Sequence, residues 1–296
     1  MPRRWNTRKW IAGAGVAGAA AAIAGALGFL ALGGAAAAGV EPGWSGNGGN
    51  SVTVTLPGAI ERVPVVEART PGRPLVLIDP GHGGQDPGAT AVSRDVAEKD
   101  LALQLARELR DKLASDGRVR IAMTRNDDRY LTLDQRSALA RDLGASLYVS
   151  LHMDSAPNPL ARGATVYSLS DVASDEESAR LAQSENSAAA RAAGSDGSVR
   201  AILSDLVVQS QMRASATLAE RLVRNASGSV ELRPNPHRFA DFHVLRSAGV
   251  PAVLFEAGYI SNVDDEAMLR DPKQRARIVA ALARAIEADI AARSVR

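Results

Sequence analysis

From residue 75 onward, short unbroken apolar runs alternate with longer amphipathic stretches. Leu75-Val76-Leu77-Ile78 is the first such run, of the kind that makes a strand buried on both faces. The stretch 96–113 reads as a helix, with Leu101, Leu105, Leu109 and Leu113 four apart. A strand follows over 119–124, then a helix over 132–143 in which Leu133, Arg136, Leu139 and Ala140 keep helical spacing. Strands are expected over 146–152 and 164–169, and a polar, Ala-rich helical segment over 172–193. A longer helix is expected over 202–223, short strands over 242–245 and 252–255, and a closing helix over 272–292. Alternating strand and helix patterns predict an α/β fold: one domain over 74–296, with a twisted, mixed, mostly parallel sheet flanked by helices.

The remainder of the chain differs in kind. Residues 1–9 are basic, and 10–38 carry no charge and are mostly Ala and Gly, with Ala35 to Ala38 offering small-residue cleavage sites. Residues 1–40 therefore read as a signal peptide, or as a membrane anchor if uncleaved, and the rest is expected outside the cytoplasm, in the periplasm. Residues 41–73, rich in Gly, Pro, Ser and Asn, read as a flexible linker, with a short strand over 51–56.

The 296 residues contain no cysteine, which excludes disulfides, Cys-based metal sites and a cysteine nucleophile. The net charge is +2 overall. Arg3, Arg4, Arg8 and Lys9 supply the basic excess, so the body beyond residue 40 is slightly acidic, which argues against a nucleic-acid binder.

Three apolar runs end in chemistry. The first breaks into Asp79-Pro80-Gly81-His82-Gly83-Gly84, a Gly-rich loop with one imidazole, as an α/β fold presents a ligand at the C-terminal edge of its sheet. The run over 146–152 ends at His152. Between them, Glu98 lies in the first turn of a helix, where the dipole favours a carboxylate; taken alone it is an ordinary helix-start residue. His82, Glu98 and His152 together make three N/O ligands with a fourth position open, the pattern of a catalytic zinc. Glu256 ends the apolar run 252–255. A carboxylate there needs a metal, a partner or water, and burial would raise its pKa toward that of a general base. His237, among prolines, reads as surface, and His243 as packed or substrate-facing. Arg125 and Arg136 are candidates for meeting substrate carboxylates, with surface helix pairing as the competing reading.

LIDPGHGGQDPGA, EKDLAL, SLHMDSA and VLFEAGYISN, with TRNDDRYLTLDQR between the second and third, resemble the signature blocks of zinc-dependent N-acetylmuramoyl-L-alanine amidases of the septal cell-wall type. The resemblance spans about residues 74–293. It implies Zn2+ on His82, Glu98 and His152, Glu256 as the catalytic glutamate, and peptidoglycan as substrate. The bond cleaved would join N-acetylmuramic acid to L-alanine, in wall remodelling or daughter-cell separation. Met153 stands where a small residue is usual, and Tyr259 where Phe is common. A carboxypeptidase-like zinc hydrolase and a non-catalytic wall-binding module are the alternatives. The segment 172–194 is not needed by a minimal core. It has a capping box, Ser174 with Glu177, and weak apolar content. By the same resemblance it would be an autoinhibitory helix released by a LytM-type activator protein. Glu185, sharing a face with Leu181 and Ala189, is the first candidate to block the zinc and Glu177 the second.

Overall fold

The computed structural model describes residues 63–190 and 201–294. The expected signal or anchor, the strand over 51–56, most of the linker and residues 191–194 of the polar segment lie outside the described residues. Among the described residues, no helix is long and apolar enough to cross a membrane.

Seven strands form one sheet: β1 (Val65–Val66), β2 (Leu75–Pro80), β3 (Arg120–Met123), β4 (Leu147–Asp154), β5 (Ala164–Leu169), β6 (Leu232–Ala240) and β7 (Ala252–Tyr259). Their spatial order is β1-β3-β2-β4-β7-β5-β6. The β3-β2, β2-β4, β4-β7 and β5-β6 pairs are parallel, and β1-β3 and β7-β5 antiparallel. The mixed, mostly parallel sheet expected from the sequence is therefore present. The stretch read as linker gives up its end to β1, where Val65 pairs with Ala122 and Val66 with Ile121.

Successive side chains of a strand point to opposite faces, and helices cover both. Val76, Ile78, Val149, Leu151, Val253 and Phe255 pack under α1 (Glu98–Asp116), the later part of α4 (Ala201–Ala226) and α7 (Pro272–Ser294). Leu75, Leu77, Tyr148, Tyr167 and Leu254 face α2 (Leu133–Asp142), α5 (His243–Ser247) and, through Ala182, α3 (Glu176–Ala190). Gly117 ends α1 in the left-handed region (φ 66°), its N–H bonding Leu113 O. A capping box of Thr132 and Gln135 starts α2.

One expectation needs correction, and two elements had not been expected. The run 242–245 is not a strand: α5 begins at His243, after Phe242. Strand β6 was missed because Pro234 and Pro236 interrupt it; it lies at the sheet edge, where proline is tolerated. Helix α6 (Val263–Arg270) was also missed, although Asn262 caps it by accepting from the N–H groups of Asp264 and Asp265.

Candidate metal and catalytic centre

The parallel strands β2, β4 and β7 all end at one edge of the sheet, and the chemistry gathers there. His82 follows β2 in a left-handed conformation (φ 57°) that non-glycine residues rarely adopt. Two guanidinium groups hold it so. Arg136 donates to the carbonyls of Pro80 (2.7 Å), His82 (2.5 Å) and Leu131 (3.2 Å) and to Asp79 Oδ1 (2.7 Å). Arg125 donates to the carbonyls of Pro80 (3.1 Å), Gly81 (2.7 Å) and Lys99 (2.9 Å). Both arginines are buried with their guanidinium groups engaged by backbone carbonyls and, for Arg136, by Asp79, which corrects the surface-pairing reading of each. Asp79 completes this frame, accepting from Thr124 (2.6 Å), Tyr148 (2.5 Å) and Ser150 (2.8 Å) as well as Arg136.

His82, Glu98 and His152 are all buried, and one ligand atom from each lies within 4.8 Å of the others. Glu98 is the first residue of α1. Its Oε2 accepts from the Ala89 N–H (2.9 Å) and its Oε1 from the Met153 N–H (3.0 Å). The same Oε1 lies 3.1 Å from His82 Nε2 and 3.0 Å from His152 Nδ1. His82 presents Nε2 because Nδ1 is engaged by Asp86 Oδ2 at 2.9 Å, a carboxylate behind a ligand imidazole that fixes its orientation. Nothing in the sequence reading singled out Asp86, although it sits in the same Gly-rich block. Glycine is required beside both imidazoles. A Cβ on Gly81 would lie 2.3 Å from His152 Cε1, and one on Gly88 2.5 Å from Glu98 Oε2.

Glu256 pairs in register with His152 across β4 and β7. It is 1% exposed, and its Oε2 has no hydrogen-bond partner among the described residues. Burial, reinforced by Asp154, Glu98 and Glu185, pushes its carboxyl well above the ordinary range. Asp154 is itself raised to about 6, chiefly by burial. At His82, burial is outweighed by Glu98 and Asp86, which raise the imidazole to about 11. Buried Nε2 of His82 also has no aligned partner among the described residues. So many carboxylates around two imidazoles, with an orphaned nitrogen aimed inward, form a donor set that fits a divalent cation.

Helix α3 lies over this centre. Glu185 Oε2 comes to 3.7 Å from His82 Nε2 and 3.6 Å from His152 Nδ1. Asn186 ties the helix down, donating to Asp241 O (2.8 Å) and accepting from the His243 N–H (2.8 Å). Glu177 is placed elsewhere, against Arg233 (2.8 Å), Arg238 (3.1 Å) and the Tyr259 hydroxyl (3.0 Å). The helix cap is Asp175, which accepts from the Ser178 N–H (2.8 Å), not Ser174, which accepts instead from the Phe239 N–H (2.8 Å). A cleft of about 960 Å³ runs along the helix, lined by His82, Glu98, Asp154, Glu177, Glu185 and Arg233 among others. The remaining histidines lie away from the centre. His237 is half-buried against the Ser168 hydroxyl (2.8 Å), and His243 is exposed against Asp134 (2.8 Å).

The chain is similar to known proteins over most of its length. AmiA of Escherichia coli K12, an N-acetylmuramoyl-L-alanine amidase, is 33% identical over 221 residues, 73% of this chain and 75% of that protein. The probable N-acetylmuramoyl-L-alanine amidase AmiB of Haemophilus influenzae is 31% identical over 69% of this chain but only 49% of its own length, so this chain spans about half of that relative. The catalytic domain of the amidase CwlV from Paenibacillus polymyxa superposes with a TM-score of 0.52 at 26% identity, covering 72% of this chain and 96% of that domain. Residues 76–288 match the family described as N-acetylmuramoyl-L-alanine amidase, and with most of the chain so accounted for, it belongs to that family.

Proposed function

We propose that this chain hydrolyses the amide bond between N-acetylmuramic acid and L-alanine of peptidoglycan, with Zn2+ held by His82, Glu98 and His152. One observation carries the reading: a buried His-Glu-His donor set stands one strand from the buried Glu256 carboxyl, whose Oε2 has no hydrogen-bond partner among the described residues. Bound zinc supplies a Lewis acid that polarises the scissile carbonyl and brings the pKa of water toward ~7. Glu256 accepts the proton of the attacking water and returns it to the departing amine, a task suited to a carboxyl group whose pKa burial has raised. Asp86 keeps the His82 ring in place, and the backbone N–H groups of Ala89 and Met153 orient the Glu98 carboxylate.

Glu185 acts as a plug. Its carboxylate stands where a substrate oxygen would approach the donor set, and α3 must leave before the wall strand can enter. The release would come from a LytM-type activator protein docking on this helix. The basic residues 1–9 and the uncharged run after them support export to the periplasm; an intact chain fractionating with the cytosol would refute that part.

Digestion of purified sacculi tests the chemistry. Free lactyl carboxylates on glycan and intact stem peptides are expected, abolished by a chelator and restored by zinc. Cleavage within the stem peptide, or no effect of the chelator, would overturn the assignment.

A further inference from the structure

We propose that Arg233, Arg238 and Tyr259 form a binding site for a carboxylate of the stem peptide, and that Glu177 fills it while α3 covers the cleft. The inference rests on the amidase reading above for the identity of the ligand, but the receptor is visible in its own right. Both oxygens of the Glu177 carboxylate are held. Oε1 accepts from Arg233 Nη1 (2.8 Å) and the Tyr259 hydroxyl (3.0 Å), and Oε2 from Arg238 Nη1 (3.1 Å). Arg233 also bonds the Tyr259 hydroxyl and lies 5.0 Å from the centre of its ring. This is a preorganised carboxylate fork of the kind arginine is suited to build. Tyr259 supplies one donor, and it stands where the resemblance leads one to expect Phe.

The three receptor residues belong to β6 and β7, the sheet itself, whereas the carboxylates they hold belong to the start of α3. Arg238 also pairs with Asp175 (3.2 Å), which caps that helix. With α3 in place the Arg238 side chain is 9% exposed and that of Arg233 15%. When α3 leaves, both guanidinium groups lose these partners together, and the opened cleft presents two adjacent, unpaired cations to a substrate carboxylate.

The spacing suits a stem peptide. Glu177 and Glu185 are eight residues apart on one helix, about 12 Å. An extended peptide covers that in roughly three residues. A carboxylate two or three residues beyond the scissile bond therefore reaches the fork while the bond lies at the donor set. The glycan side of the bond carries neutral N-acetylated sugars, so the fork marks the peptide side of the cleft. Helix α3 thus imitates the substrate at two points, Glu185 at the reacting carbonyl and Glu177 at the peptide acid.

The test uses the full chain carrying Glu177→Gln and Glu185→Ala, alone and with Arg233→Gln or Arg233→Lys. The probe is the released stem peptide, which the amidase cannot turn over, as the free acid and as forms amidated at the second or the third residue. Calorimetry should show the free acid binding about ten- to a hundredfold more tightly than one of the amides. Arg233→Gln should erase that ratio and Arg233→Lys retain part of it. Equal affinity for the free acid and both amides, or a ratio that survives Arg233→Gln, would overturn the proposal. The ratio is taken within one protein sample, so partial misfolding cannot imitate its loss. Sacculus digestion separates the two readings. Preferential binding without any release of stem peptide removes the amidase and keeps the site; digestion with no preference removes the site alone.

Discussion

Arg136→Met removes a charge from beneath the Gly-rich loop that carries His82 while keeping much of the side-chain volume. Arg136 is 3% exposed and Asp79 1%, and they meet at 2.7 Å. Deleting one member of such a pair strands the other charge, at a cost of about 3–5 kcal/mol. That is a large share of the ~5–15 kcal/mol that typically stabilises a domain, so the protein is expected to stay folded with its urea midpoint lowered by about 1–2 M. The loss should depend on pH. In the wild type, burial raises the Asp79 pKa, but Arg136 and the hydroxyls of Thr124 and Tyr148 hold it below the ordinary value. Its folded-state pKa is thus depressed, and its stabilisation is present above the unfolded pKa near ~3.9 and lost as pH falls below it. Without Arg136 the largest charge holding the pKa down is gone, burial pushes it up, and protonation relieves the strain. The gap between variant and wild type should therefore be widest near pH 7 and shrink toward pH 3. Because Arg136 also holds the carbonyl of His82, metal affinity should fall as well. Urea titrations at both pH values, with metal content by mass spectrometry, read these effects. A loss under about 1 kcal/mol at pH 7, or an equal loss at both pH values, would refute the assignment of Arg136 as the buried counter-ion of this loop.

Glu256→Gln should cut sacculus hydrolysis by about 10²–10⁴-fold at unchanged metal content; near-normal turnover at full occupancy would remove the general-base role. Gly81→Ala places a Cβ 2.3 Å from the His152 ring and should weaken metal binding at least about tenfold, read by competition with a chelator. Unchanged affinity would show that the imidazole is free to shift. Glu185→Ala should raise basal hydrolysis without a partner protein. The rise should be partial, because Asn186 still makes two hydrogen bonds worth about 0.5–1.5 kcal/mol each, and adding Asn186→Ala should raise it further; a basal rate unmoved by both would rule out the plug.

Much of the centre was legible in the sequence because it lies where apolar runs stop. His82, Glu98, His152 and Glu256 each interrupt or follow a patterned element, and the fold draws the ends of those elements together. The strands run further than the apolar runs suggested, β4 through Asp154 and β7 through Tyr259, because polar residues at a ligand-bearing edge are held by one another instead of by the core. Other features left no local trace. Arg125 and Arg136 look like surface residues of a helix and a turn, and their burial depends on backbone carbonyls some 45 or more residues away in sequence. Asp86 is indistinguishable from a turn residue until the His82 ring turns toward it. Helix α5 was misread because four apolar-flanked residues carry too little periodicity to separate strand from helix.

Strand β6 was the most consequential miss, and its irregularity places two arginines on one carboxylate. Strands β5 and β6 run against β7, since Thr165 pairs with Glu256 and Ser168 with Val253. The beginnings of β5 and β6 therefore lie at the edge where β2, β4 and β7 end. A strand parallel to β7 would bring its last residues there, and Ala240 would stand near the cleft instead of Arg233. The ladder between β5 and β6 also slips: Ala164 pairs with Leu232 but Val166 with His237, leaving residues 233–236 bulged out. Pro234 and Pro236 donate no ladder hydrogen bonds, and Asn235 takes φ 52°, as such a bulge demands. Bulges of this kind re-aim side chains beside active sites. Here Arg233 inside the bulge and Arg238 just past it converge on one carboxylate. The prolines that hid the strand from its hydrophobic pattern are thus part of the means by which two arginines from one edge strand meet the Glu177 carboxylate at the cleft.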